Sequence, residues 1–196
     1  MHLPARVKAI LLTPRTEWPV IADEATTPRA IFLGYVAPLA TIGAIALFAG
    51  QVLIGTPLPL LGVVRAGIAE GIVAAIFTFA LALVSVWLLA HIIDALAPQF
   101  GGQRDSLRAL KASAYSYTPA WLAGVLHVVP AWGLLALPAT LYGLYILYIG
   151  LPVLMRCPRQ QAMPYTGVVV ACAIVLFFVF GGLTTCVAGF GPGVFS

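Results

Sequence analysis

Charge in this chain is confined to the gaps between five long apolar stretches, and almost all positive charge to alternate gaps. Hydropathy marks the stretches at 30–54, 68–96, 113–129, 133–155 and 165–187. A helix crossing the ~30 Å hydrocarbon layer needs roughly 20 mostly apolar residues, and each stretch is about that long. Arg6, Lys8, Arg15 and Arg29 precede the first stretch. Arg104, Arg108 and Lys111 lie between the second and third, and Arg156 and Arg159 between the fourth and fifth. Arg65 alone falls elsewhere, so nine of the ten Lys and Arg sit on one side of a five-pass weave. Basic residues near span ends are retained in the cytoplasm. The weave therefore predicts a multi-pass protein of a bacterial inner membrane, with the N-terminus cytoplasmic and the C-terminus periplasmic. The expected fold is all-α, a polytopic bundle of five transmembrane helices.

Only 8% of residues are charged against 62% hydrophobic, and the mean hydropathy of +1.05 excludes a soluble domain. The net charge of +4 and pI of 9.2 resemble a nucleic-acid signature. Here they follow from basic residues facing anionic lipid headgroups, each worth about 1 kcal/mol near the surface. The bilayer is thus the expected partner, and no nucleic acid is. No signal peptide is expected in residues 1–21, where charges are scattered and no apolar core precedes a cleavage site. Cys157, Cys172 and Cys186 lie about 20 Å apart in sequence order at 1.5 Å per helical residue, so none can bridge another in one chain. They read as small apolar fillers.

Three regions follow: a cytoplasmic interfacial segment (1–29), the spans (30–187) and a periplasmic tail (188–196). In the first, Leu3, Val7, Ile10 and Leu11 repeat at helical spacing, with Arg6 and Lys8 read as lying off that stripe. Thr13-Pro14 interrupts the pattern and Trp18 follows, as in a basic amphipathic helix lying at a headgroup boundary. It reads either as an anchor for the first span or as a docking surface for a cytoplasmic protein. Thr27-Pro28 suits a helix start. Within the spans, Gly34, Gly43, Gly50, Gly143 and Gly150 are expected where helices touch. Pro38, Pro119, Pro138 and Pro152 are expected kinks.

Ionisable residues within spans are functional candidates by default. His91 and Asp94 share a helix face, but His127 lies near the opposite edge, ~20 Å away across a ~30 Å layer, which excludes a joint metal site. Glu70 and His127 share a depth near the outer edge, where they could hydrogen-bond, as a structural tie in preference to a relay. On the inner side the third span opens with Ser113, Tyr115, Ser116, Tyr117, Thr118 and Pro119, and Asp94 enters at the same level. Buried polar groups need partners, so Asp94 is expected to accept a bond from one of these hydroxyls. The cluster is either a clasp between helices or a small polar site open to the cytoplasm. Tyr142, Tyr145 and Tyr148 form a packing stripe. Gly101-Gly102 reads as a turn. Hydrolase, metalloprotease, redox and phosphate-loop motifs are absent, so no catalytic residue, metal or cofactor is expected.

Four blocks carry a resemblance: PRTEW (14–18), IIDALAPQFGG (92–102), ALKASAYSYTPAWLAGVL (109–126) and LYGLYILYIGLPVLM (141–155). Together they resemble the bacterial branch of the YIP family, the Ypt-interacting membrane proteins. The resemblance implies five transmembrane helices and a cytoplasmic N-terminus. It carries Asp94, Tyr115, Ser116, Thr118 and Pro119 over as members of recurring blocks. Eukaryotic members are associated with Rab-type GTPases and vesicle traffic; the residues 1–29 ahead of the first stretch are not expected to supply their long cytoplasmic N-terminal region. The expected function is a non-enzymatic membrane-organising or adaptor protein, working as a homo-oligomer or with a cytoplasmic protein partner. The alternative is a small transporter or channel using the Asp94 cluster.

Overall fold

The computed structural model describes residues 3–58, 62–129, 132 and 135–189, and it opens with two short helices. α1 (Leu3–Leu12) ends at Thr13, and Pro14 begins α2 (Pro14–Asp23), because proline suits a first helical turn. The segment expected to lie flat at a headgroup boundary is therefore a helical hairpin, folded onto the bundle. Ile10, Trp18 and Ile21 are fully buried. Arg6 corrects the reading of the stripe. Four residues before Ile10, it shares that residue's face and is 4% exposed.

Thr27 Oγ1 accepts from Ala30 N at 3.2 Å, with Pro28 at the helix start, as the Thr-Pro pair predicts. From Pro28 to Ile54 the chain forms one apolar helical rod. It comprises α3 (Pro28–Ile31), a π turn at Phe32–Val36, α4 (Ala37–Ala49) and a second π turn at Gly50–Ile54. The first π turn precedes Pro38: Ala37 N–H reaches back to Phe32 O, and Pro38 has no N–H to offer. A two-stranded antiparallel ribbon follows, β1 (Thr56–Leu58) against β2 (Gly62–Val64). The ribbon sits in the loop between two apolar helices, where no helix is expected.

α5 (Ile68–Leu96) continues through a 3-10 turn at Ala97–Phe100. After it come α6 (Ser106–Ser116), α7 (Thr118–Ala123), a 3-10 turn at Gly124–Val128, α8 (Leu137–Leu154) and α9 (Arg159–Gly189). Four helices among the described residues are long and apolar enough to cross a membrane: Pro28–Ile54, Ile68–Phe100, Leu137–Leu154 and Arg159–Phe180. The third expected span, 113–129, is not one of them, so the structure does not establish a count of five. Pro119 cannot donate to Tyr115 O, and the chain divides at Tyr117 into two pieces. The expected start of the fourth span at Gly133, and the tail from residue 190, lie outside the described residues.

α5 packs against α4, α6 and α9, while α8 packs against α2, α6, α7 and α9. Glycines mark several contacts, as expected without a hydrophobic drive between helices. A Cβ on Gly124 would lie 3.1 Å from Gly43 Cα, and one on Gly143 would lie 2.6 Å from Ser116 O. A Cβ on Gly34 or on Gly43 itself would face open space.

Candidate functional site at the basic end of the bundle

The break at Pro119 organises the centre of the site. The missing proline N–H leaves Tyr115 O without its helical donor, and Thr118 Oγ1 donates to it instead at 2.6 Å. That hydroxyl's only proton is then committed, so the 2.7 Å bond between Tyr35 Oη and Thr118 Oγ1 has Tyr35 as donor. One directed chain, Tyr35 to Thr118 to the Tyr115 carbonyl, joins the first rod to both halves of the broken helix. The Tyr35 and Tyr115 rings meet edge to face with centroids 4.5 Å apart, and Trp18 adds a second edge contact at 6.3 Å. Such pairs contribute about 0.5–1.5 kcal/mol beyond burial.

The N-terminal hairpin is fastened above this aromatic group. Buried Arg6 pairs with both Glu17 and Glu24, and its guanidinium carbon lies 5.8 Å from the Tyr115 ring centroid. Lys111, 2% exposed, donates from Nζ to Ile21 O and Glu24 O, both at 2.7 Å. Those carbonyls lie at the end of α2, where a cation also answers the helix dipole. Burial pushes the Lys111 ammonium below its ordinary pKa, and Glu24 opposes that shift. Two cations and two carboxylates make the group neutral overall. Trp18 Nε1 donates to Ile146 O at 3.1 Å, and its ring fills the notch left by Gly150, where a Cβ would lie 2.5 Å from Cε2. Tyr142 Oη donates to Leu11 O at 2.6 Å at the end of α1.

The residues singled out from sequence fall into this frame unevenly. Tyr115 and Thr118 are at its centre and Pro119 causes it. Asp94 is not bonded to any of the neighbouring hydroxyls, which corrects the expectation: its Oδ1 accepts Asp105 N at 2.8 Å. The carboxylate is thereby used on a backbone donor just ahead of α6. Ser113 Oγ donates to Val86 O at 2.9 Å, joining α6 to α5. Tyr117 stacks on Trp121 with centroids 5.7 Å apart. Ser116 Oγ is buried without a partner among the described residues. Glu70 and His127 are not bonded to each other either. Glu70 accepts from Gly67 N at 3.1 Å, capping its own helix, and His127 Nδ1 faces Gly124 O at 3.1 Å. Each carries a local partner one turn away, so neither needs the other.

Arg6, Glu17, Glu24 and Lys111 were not legible as a group. The available signal was the four-residue spacing of Arg6 and Ile10, together with Lys111 standing among Ala109, Leu110, Ala112 and Ala114. Both place a cation on a buried face; neither names its partner.

A family model described as the Yip1 domain matches residues 8–180. Two curated proteins, each the "Inner membrane protein YohC", one of Escherichia coli strain K12 and one of E. coli O6:H1 strain CFT073, are similar to this chain. Each is 23% identical over 185 residues, covering 93% of this chain and 95% of its own. No solved structure matches.

Proposed function

Since the chain belongs to the Yip1 domain family, we propose that it is a multi-pass inner-membrane protein acting as a non-enzymatic organising or adaptor element. In this reading the chain from Ser113 near the end of α6, through α7 and the turn after it, makes the third of five crossings. The basic end with its hairpin faces the cytoplasm, and the N-terminal segment serves as the contact for a cytoplasmic partner or second copy. The membrane assignment draws on the similar inner membrane proteins and the apolar helices. The observation that carries the adaptor reading is the use of Asp94: its carboxylate accepts from Asp105 N at 2.8 Å and so ties α5 to the start of α6. Arg6, Lys111 and Thr118 are likewise engaged in joining elements.

A transport role is the second reading, favoured by Ser116 Oγ, a buried hydroxyl without a partner among the described residues, beside the Pro119 break. A conducting path needs polar groups or water through the layer. Purified protein in sealed liposomes separates the two. The adaptor reading expects no proton or ion flux above empty vesicles. Flux abolished by Asp94→Asn and retained in Cys172→Ala overturns it.

A further inference from the structure

Gly101-Gly102 lays one interhelical loop against the end of another helix. Gly101 has φ +71°, and a Cβ on Gly102 would lie 2.9 Å from Met155 O and 3.1 Å from Ala97 O. With glycine there, Gly102 N donates to Ala97 O and Gln103 N to Met155 O, both at 2.9 Å. Arg108 Nη1 reaches Leu154 O at 3.4 Å from the first turn of α6. Between loop and helix end lies a cavity of about 90 Å³ bounded by Gln103, Arg104, Asp105, Arg108, Leu154 and Arg156.

Three guanidiniums meet one carboxylate at this cavity, and the carboxylate is already committed. Asp105 Oδ1 accepts Arg108 N at 3.0 Å, and Oδ2 pairs with Arg108 Nε at 3.2 Å. Arg156 donates to the neutral side-chain oxygen of Gln103 at 3.4 Å. Arg104 has no hydrogen-bond or ion-pair partner among the described residues. Two guanidiniums thus face the cavity without a counter-charge. Arg156 also stands at φ +51° just past the end of α8, where glycine is the usual residue and any other is strained. The volume has room for more than one water, and so for one tetrahedral oxyanion.

We propose that this cavity binds the phosphate of one anionic phospholipid, with Arg104 and Arg156 as its principal ligands. Guanidinium forks match phosphate oxygens two at a time, which ammonium groups do not. The cavity lies where α8 ends and α6 begins, at the level where phosphates of the inner leaflet stand if the basic end is cytoplasmic. The site is independent of the adaptor reading, since it requires neither a protein partner nor the absence of flux.

Native mass spectrometry of the full chain in detergent, titrated with phosphatidylglycerol or phosphatidylcholine, tests it. The expected result is one retained phosphatidylglycerol per chain and little phosphatidylcholine. Arg104→Gln and Arg156→Gly should each weaken retention about fivefold or more, as loss of one cation at a lipid surface implies. Arg159→Gln is the control, an exposed cation outside the cavity, and should change retention little. Arg156→Gly relieves the strained φ, so its thermal midpoint should stay or rise, separating lost binding from lost folding. Equal weakening by Arg159→Gln overturns the site in favour of diffuse attraction, and undiminished retention in Arg104→Gln and Arg156→Gly overturns it outright. A further arm supplies inorganic phosphate. Phosphate that binds while phosphatidylglycerol does not overturns the lipid assignment.

Discussion

Single atoms decide how the hairpin sits. At Gly150 an added Cβ would come within 2.5 Å of Trp18 Cε2 and 2.6 Å of Cζ2, and the indole, fully buried, has nowhere to retreat. Gly150→Ala should therefore cost about 1–3 kcal/mol, the range for overpacking. Gly34→Ala meets nothing within 4 Å and should be neutral or stabilising, since alanine is the better helix former. Thermal unfolding in one detergent reads both, and a Gly150→Ala midpoint at or above that of Gly34→Ala would remove the notch from the account. Arg6 makes a harsher case. Arg6→Met leaves Glu17 buried without its cation, and such loss costs about 3–5 kcal/mol. Replacing both, Arg6→Met with Glu17→Gln, should cost less than Arg6→Met alone. Cys157 is buried, and burial raises its thiol pKa. With Cys172 and Cys186 replaced by Ala, maleimide should label it slowly in the native protein and rapidly once unfolded. Equal rates would show that α8 and α9 part readily at that point.

Among elements, the broken third helix carries the clearest test. Thr118→Val removes the donor to Tyr115 O and the acceptor for Tyr35, whereas Tyr35→Phe leaves only one lone pair unmet. The valine variant should be the less stable by about 1–3 kcal/mol, the cost of stranding buried polar groups. Pro119→Ala restores the N–H that a helix would direct at Tyr115 O, so the double variant Thr118→Val/Pro119→Ala should lose less than the sum of its parts. Strict additivity would mean that the proline and the threonine do not share that carbonyl. Much of this element was readable: Pro119 announced a kink, and Ser113 to Thr118 announced an unusual density of hydroxyls. Their partners were not readable, because a hydroxyl at membrane depth is satisfied as well by a helix carbonyl as by a carboxylate. Ser113 takes Val86 O and Thr118 takes Tyr115 O, leaving Asp94 to a backbone N–H. The hairpin was hidden for another reason. Periodicity identifies a buried face but is silent on what buries it, and Arg6 was misplaced because a charge beside an apolar stripe invites that error.

For the molecule as a whole, charge asymmetry remains the strongest guide to how it lies in a membrane. A phosphatase reporter fused after Arg159 should be silent and one fused after Ser196 active; the reverse pattern would invert the proposed orientation. The apolar rods were legible because length and hydropathy are local properties, while the two-stranded ribbon at Thr56–Val64 rests on pairing that apolar composition does not mark. One feature of the hairpin reaches beyond the finished fold. Trp18 bonds to Ile146, 128 residues later in the chain. Synthesis at ~5–20 residues per second separates the two by roughly 6 to 25 s. Throughout that interval Arg6, Glu17 and Glu24 can already pair with one another, while Trp18 has been made and its acceptor has not. The hairpin must therefore wait beside the membrane while the helices that receive it are inserted, and its closure reports that α6 and α8 have arrived. A nascent chain stalled before Tyr142 should keep its first 24 residues open to protease, and release of the stall should close them.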